Sequence, residues 1–255
     1  MIRLVVVLLV AALPFSAVAA PCANPDALGT ARALSVDAAS TPRIGRKEFP
    51  DTLPLGPKEL VLTFDDGPWP TTTPVVLKAL KAQCVEATFF VLGRNVAAHP
   101  ELVRRELAEG HSIGHHTFSH PLLDHMAPAA AWAQIVKGVR TDEQALYGQA
   151  RAQATTPFFR FPGFASTPAL LDRAQAAGLV VFGADVWASD WRVQTPDEEL
   201  KLLLARVEKI DHGIVLLHDT RAQTARMLPA LLHELKSRGY RIVHLVPGTP
   251  SRPLD

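Results

Sequence analysis

Two carboxylates stand side by side at Asp65 and Asp66, at the end of the apolar run Leu60–Phe64 and just before Gly67-Pro68. Adjacent carboxylates repel unless a cation or a proton comes between them. The pair therefore suits a metal site or acid–base chemistry. A solvated turn explains it as simply, because Asp-Gly is common in turns. Further on, His116 and His120 are four residues apart in His-Thr-Phe-Ser-His-Pro. On a helical turn that spacing puts two imidazoles on one face, within reach of one ion. Two imidazoles and a carboxylate with an open fourth position make a hydrolytic zinc site. Asp66 or Asp65 would supply the carboxylate. A capped surface turn accounts for the histidines alone; next to Asp-Asp-Gly-Pro the metal reading gains weight.

Strand and helix signals place these residues. Strands are expected at 60–64, 87–91, 112–116, 158–160, 180–184, 213–217 and 240–246, where β-branched and aromatic residues cluster. Helices are expected between them, at 73–83, 100–109, 128–147, 168–177, 195 onward and 223–238. Several open on proline at the first helical position and close on glycine. Strands alternating with helices imply a parallel sheet covered by helices. At this length a closed or partly closed β/α barrel of about seven parallel strands fits, with an open doubly wound sheet as the alternative. Asp65-Asp66, His116, Arg160, Asp185 and His218 all fall at C-terminal ends of expected strands, the face on which such barrels build active sites.

The chain has 255 residues, 48% hydrophobic and 20% charged, enough for one large domain or two small ones. Residues 1–19 read as a signal peptide, with Arg3, an apolar stretch Leu4–Leu13 and small residues at Ala17-Val18-Ala19. An exported chain with no membrane span in its mature part is expected, in the periplasm or outside the cell. Residues 20–57 read as an irregular lead-in, and 58–250 as the catalytic domain. Basic and acidic residues balance once Arg3 is removed, and no basic block occurs. Nucleic acid and anionic membranes are therefore poor partners. Export permits a disulfide between the two cysteines, Cys22 and Cys84, with two free thiols as the alternative. There is no Gly-rich phosphate loop and no Gly-x-Ser-x-Gly elbow.

Five stretches together resemble the polysaccharide deacetylase family, the NodB-homology or carbohydrate esterase family 4 enzymes. They are Thr63-Phe-Asp-Asp-Gly-Pro68, His116-Thr-Phe-Ser-His-Pro121, Arg160-Phe-Pro-Gly163, Asp185-Val-Trp-Ala-Ser-Asp-Trp191 and Leu216-Leu-His218. The resemblance implies a distorted β/α barrel of the glycoside hydrolase/deacetylase type. It implies N-deacetylation of N-acetylglucosamine in chitin oligosaccharides or peptidoglycan. O-acetyl xylan esterase activity and an inactive sugar-binding homologue are the alternatives. By position, Asp66, His116 and His120 would hold a divalent metal, usually Zn2+, with Co2+, Ni2+ or Mn2+ as substitutes. Asp65 would be the general base and His218 the general acid. Arg160 would hold Asp65 and keep it ionised, and Asp190 would pair with His218. Trp191 and Leu216 would wall the acetyl pocket, and a backbone N–H around Gly163 would help hold the oxyanion. The implied partner is a carbohydrate polymer or oligomer, and a monomer is expected.

Three positions depart from the family pattern. His115 stands where asparagine is usual, as a spare ligand, a group supporting a ligand or an exposed residue. Gly163 replaces an aromatic residue and Phe164 follows it, which alters one wall of the cleft. Trp187 replaces a smaller residue and would narrow a sugar subsite or offer a stacking face. Trp69 would stack on a sugar or pack within its loop.

Overall fold

The computed structural model describes residue 22 and residues 24–255; the leader expected over 1–19 lies outside them. Ten strands run in chain order as β1 (Thr30–Val36), β2 (Arg43–Ile44), β3 (Glu59–Asp65), β4 (Thr88–Val91), β5 (Ser112–His115), β6 (Phe158–Phe159), β7 (Val180–Phe182), β8 (Val186–Trp187), β9 (Gly213–His218) and β10 (Arg241–Pro247). Seven helices intervene: α1 (Thr73–Ala82), α2 (Gly93–Ala98), α3 (Pro100–Ala108), α4 (Pro128–Tyr147), α5 (Pro168–Ala176), α6 (Pro196–Ile210) and α7 (Ala222–Ser237). Strands pair in the order β1-β10-β3-β4-β5-β6-β7-β2, while β9 takes the other edge of β3 and carries β8. Every pairing is parallel. The curved sheet runs from β8 round to β2 and is not closed into a barrel by hydrogen bonds.

Alternation along the strands sorts the core. Leu60, Leu62 and Phe64 of β3 pack outward with Val76, Leu77 and Leu80 of α1 and Leu228 and Leu231 of α7. Val61 packs inward with Phe90, Phe158, Phe182 and Ile214. Thr63 and Asp65 follow the same two-residue period, so they share that inner face. The period thus delivers a carboxylate to the top of the enclosed space. Each large side chain so buried contributes about 1.5–3 kcal/mol.

The lead-in expected to be irregular contributes two strands. β1 adds to β10, and β2 adds to β7. β1 is half exposed, with Ala, Arg and Ser among its residues, so its alternation is weak. β8 is only two residues long, and α2 starts on glycine and abuts α3; neither presents a period long enough to read. The helix 128–147 runs as expected and ends on Gly148 in a left-handed conformation. Thr195 and Glu198 form a reciprocal cap at the start of α6. Cys22 and Cys84 are joined as a disulfide. It ties the start of the described chain to the turn after α1.

Candidate metal centre and active-site cleft

Asp65 is the last residue of β3, and strand geometry alone would send Asp66 to the opposite face. Asp66 instead takes a left-handed backbone, φ 76°, which aspartate tolerates better than most residues. Both carboxylates thereby reach one cleft. Asn95 donates to the Asp66 carbonyl at 2.7 Å and fixes the turn.

His116 and His120 come together without the helical turn that their spacing suggested. Thr117 and His120 both have positive φ, 70° and 65°, so the loop curls back on itself. The imidazole rings end 5.1 Å apart. Helix α4 supports the curl. Phe118 N–H donates to the Gln134 carbonyl, and Ser119 Oγ donates to Gln134 Oε1. A Cβ at Gly138 would lie 2.7 Å from the Thr117 carbonyl carbon, so glycine there lets the helix approach the loop.

Asp66, His116 and His120 each offer one ligand atom, all within 4.8 Å of one another. Asp66 Oδ1 lies 3.6 Å from His116 Nε2 and 3.4 Å from His120 Nε2. This oxygen is buried and accepts no hydrogen bond. A buried carboxylate oxygen facing two imidazole nitrogens is short of a positive partner, which a divalent cation supplies. The His116 tautomer agrees. Its Nδ1 is 2.7 Å from the Arg160 carbonyl, which can only accept, so Nδ1 carries the proton. Nε2 is left with a free lone pair on the Asp66 side. Burial pushes His116 down to about 3, so the ring is neutral, as a ligand must be.

Asp65 lies beside this set. Its Oδ2 is 3.9 Å from His116 Nε2, and its Oδ1 accepts from Arg160 Nη1 at 2.6 Å. Arg160 is fully buried above the Phe90 ring and also donates to Thr63 Oγ1 and to the Phe182 and Gly183 carbonyls. Loss of water around Asp65 raises its pKa, and the Arg160 charge opposes this without cancelling it. The expected depression by Arg160 is therefore outweighed by burial. A carboxylate so raised takes up a proton more readily, as a general base must.

His218, the last residue of β9, faces the cleft from the other side, with Nε2 3.9 Å from Asp66 Oδ2. Asp190 holds it twice: Oδ1 meets His218 Nδ1 at 2.8 Å, and Oδ2 accepts the His218 backbone N–H at 2.6 Å. Burial would lower this imidazole. The charge and hydrogen bond of Asp190, then Asp65 and Asp66, overcome that and lift it to about 9. At neutral pH it can donate a proton. Behind Asp190, Thr224 Oγ1 lies 3.0 Å from Asp190 Oδ2 and 2.8 Å from Glu199 Oε1. One hydroxyl proton cannot serve two carboxylates, so one of them carries a proton. Burial raises Glu199 to about 7, so near neutral pH it is poised to hold that proton.

A cleft of about 360 Å³ joins these groups. Asp65, Asp66, His116, His120 and His218 line it, as do Gly163, Trp187, Trp191 and Leu216. Arg160 and Asp190 are buried behind the wall. Three lining residues were not picked out as site residues: Phe161, Phe164 and Arg221. Phe164 stacks on Trp187 with ring centroids 6.1 Å apart and fills the wall that Gly163 leaves open. Arg221 sits three residues after His218 on the turn into α7, where its sequence neighbours give no signal. Trp69 does not line the cleft; it is 44% exposed, and its backbone N–H donates to Thr73 Oγ1.

Two other positions differ from their sequence reading. Asp185 precedes β8 and lies at the start of β9, away from the catalytic ends of the strands. Its carboxylate accepts from Arg46, Thr52 and the Ile214 N–H. His115 is neither exposed nor a spare ligand. It is buried, with Nδ1 2.7 Å from Asp142 Oδ2, and its carbonyl accepts the Arg160 N–H.

Comparison with known proteins gives the family. A family model described as polysaccharide deacetylase matches residues 53–182. Peptidoglycan-N-acetylglucosamine deacetylase PgdA of Listeria monocytogenes serotype 1/2a is 39% identical over 186 residues, 73% of this chain and 38% of that protein. A chitooligosaccharide deacetylase of Bradyrhizobium sp. (strain ANU 289) is 36% identical over 201 residues, 73% of this chain and 89% of that protein. The structure of Bdellovibrio bacteriovorus peptidoglycan deacetylase Bd3279 superposes with a TM-score of 0.75 at 31% identity, covering 85% of this chain and 59% of that one. The chain belongs to the polysaccharide deacetylase family. It spans well under half the length of the Listeria relative.

Proposed function

We propose that this protein is an exported, metal-dependent polysaccharide deacetylase that hydrolyses N-acetyl groups of N-acetylglucosamine units, in peptidoglycan or in chitin oligosaccharides. The observation that carries this reading is the convergence of Asp66, His116 and His120 on one point, flanked by Asp65 on one side and His218 on the other. Names of the relatives support the substrate class. The disulfide and the apolar leader support export. Among the described residues no helix is long and apolar enough to cross a membrane.

Asp66, His116 and His120 would hold the ion, zinc first among the candidates given two imidazoles and one carboxylate. Bound there, it supplies Lewis-acid polarisation of the acetyl carbonyl and lowers the pKa of water. Asp65 takes the proton of the attacking water, positioned by the Arg160 guanidinium. His218 gives its Nε2 proton to the departing sugar nitrogen, and Asp190 stabilises the charged imidazole until then. A backbone N–H near Gly163 offers the developing oxyanion a donor, typically worth ~3–4 kcal/mol. Trp191 and Leu216 bound the space for the acetyl methyl.

The test reconstitutes the purified protein with zinc and follows acetyl loss by mass spectrometry on chitin oligomers, peptidoglycan fragments and acetylated xylan. Loss from the first or second supports the proposal; loss from xylan alone replaces it with an esterase. Asp66→Ala is expected to abolish stoichiometric metal and activity together. Asp65→Asn should keep the metal and lose turnover, and near-normal turnover in that variant would exclude Asp65 as the base.

A further inference from the structure

Trp187 lines a second cavity besides the cleft. This cavity, of about 420 Å³, is also lined by Lys47, Arg206, Lys209 and Asp185. Its charges do not cancel. Both oxygens of Asp185 are already used: Oδ1 by the Arg46 backbone and side chain, Oδ2 by Thr52 and the Ile214 N–H. Arg46 thus neutralises the one acid, and three cations remain. Arg206 spends Nη1 on the Trp187 carbonyl and Ser189 Oγ, 2.8 and 2.7 Å away. Among the described residues, its other guanidinium nitrogens, Lys47 Nζ and Lys209 Nζ have no hydrogen-bond or ion-pair partner. The nearest group to Lys47 Nζ is the Trp187 ring, 4.8 Å from its centroid.

Three positive groups around one cavity make its local potential positive and favour an anion there. Trp187 is a wall common to this cavity and the cleft, and aromatic contacts lead from it toward His218. Trp187 meets Trp191 with centroids 5.9 Å apart, and Trp191 meets His218 at 6.2 Å. A glycan lying along these rings, with one unit at His218, would bring a neighbouring unit to the cations.

We propose that this cavity is an anion subsite that takes a carboxylate carried by a neighbouring sugar of the bound glycan. It rests on the deacetylase reading above and narrows it to acidic, muramyl-type chains in preference to neutral chitin. The carboxylate is either the lactyl group of the muramyl sugar or a carboxylate of the peptide attached to it. Lys47 and Lys209 supply charge from the rim, and Arg206 supplies its free guanidinium edge.

The test uses the zinc-loaded full chain and four tetrasaccharides: a muramyl-containing glycan with free lactyl carboxyls, the same glycan amidated, the same glycan bearing stem peptides, and chitotetraose. Lys47→Met with Lys209→Met keeps the aliphatic stems of two exposed side chains. The acidic-to-neutral ratio of kcat/KM is expected to fall about tenfold, through KM, with raised salt reproducing the effect on the native protein. Charge reversal at both lysines should deepen the fall. A response to the free lactyl glycan but not its amide assigns the lactyl carboxyl; a response only to the peptide-bearing glycan assigns the stem. An unchanged ratio, or equal losses on neutral and acidic glycans, overturns the subsite. Should the native protein turn over none of them, the deacetylase reading fails by itself. Calorimetric binding of the acidic and amidated glycans to native and double-variant protein then decides: acid-selective binding lost in the variant supports the subsite, and equal binding refutes it.

Discussion

Replacing Arg160 by methionine isolates the buried ion pair on which the base depends. The guanidinium is fully buried, 2.6 Å from an Asp65 carboxylate that is itself 2% exposed. Removing one partner of such a pair leaves the other charge uncompensated and costs about 3–5 kcal/mol. The loss depends on pH with a definite sign. Burial already raises Asp65 above its ordinary value. Without Arg160 it rises further, so ionising it costs more folded-state stability as pH climbs beyond the ordinary carboxylate range. The destabilisation should therefore be smallest near pH 4 and largest near pH 8. Urea unfolding in the presence of a chelator measures it free of any contribution from bound metal. A second arm closes the cycle. Arg160→Met combined with Asp65→Leu removes both charges and should recover at least ~2 kcal/mol relative to the sum of the single losses. A single variant within ~1 kcal/mol of native at pH 8, or a double variant with no recovery, would refute the claim that the pair is strongly coupled.

Gly138→Ala puts a methyl 2.7 Å from the backbone of the histidine loop, so the loop must shift. The expected result is an intact fold by circular dichroism and a zinc affinity weakened at least about tenfold by chelator competition. At the opposite end of β3, Glu59 is pulled down to about 2, foremost by its hydrogen bond with Arg32. The folded pKa lies below the unfolded one, so this pair stabilises the protein above about pH 4.5 and the contribution disappears as pH falls toward 2. Because the Arg32 side chain is 37% exposed, screening reduces its worth to about 1–2 kcal/mol. Arg32→Ala should show that loss in full at pH 7 and only a minor part of it at pH 2.5, by the same unfolding measurement.

The long elements were legible because their signals are local. Proline at the first turn and glycine beyond the last fix α4 nearly to the residue, and the apolar run of β3 announces a strand buried on both faces. Metal-site residues were legible as types and order, while their geometry was not. Sequence spacing suggested a helical turn for His116 and His120. The structure uses two left-handed residues, whose stability comes from contacts with α4 some twenty positions away. Asp185 misled for a related reason. It follows β7 in sequence, yet the chain runs straight on into β8 beside β9, so Asp185 sits against Ile214 near the start of β9 rather than at a strand's C-terminal end. Arg221 and the partnership of His115 with Asp142 rest wholly on tertiary contacts. The first two strands escaped notice because half-exposed edge positions tolerate Ala, Ser and Arg, which blur alternation.

Arg160 acts on the site through two chemically separate handles. Its side chain reaches Asp65, while its main-chain carbonyl fixes which nitrogen of His116 is free. Substitution can erase the first and cannot erase the second, since every amino acid brings the same carbonyl. The ligand's tautomer is therefore insulated from point mutation at the position that governs it, and only a displacement of the backbone after β6 can disturb it. A variant at this position that retains its fold should thus keep its affinity for metal while its turnover collapses. Metal occupancy alone would then be a poor guide to whether such a site is alive.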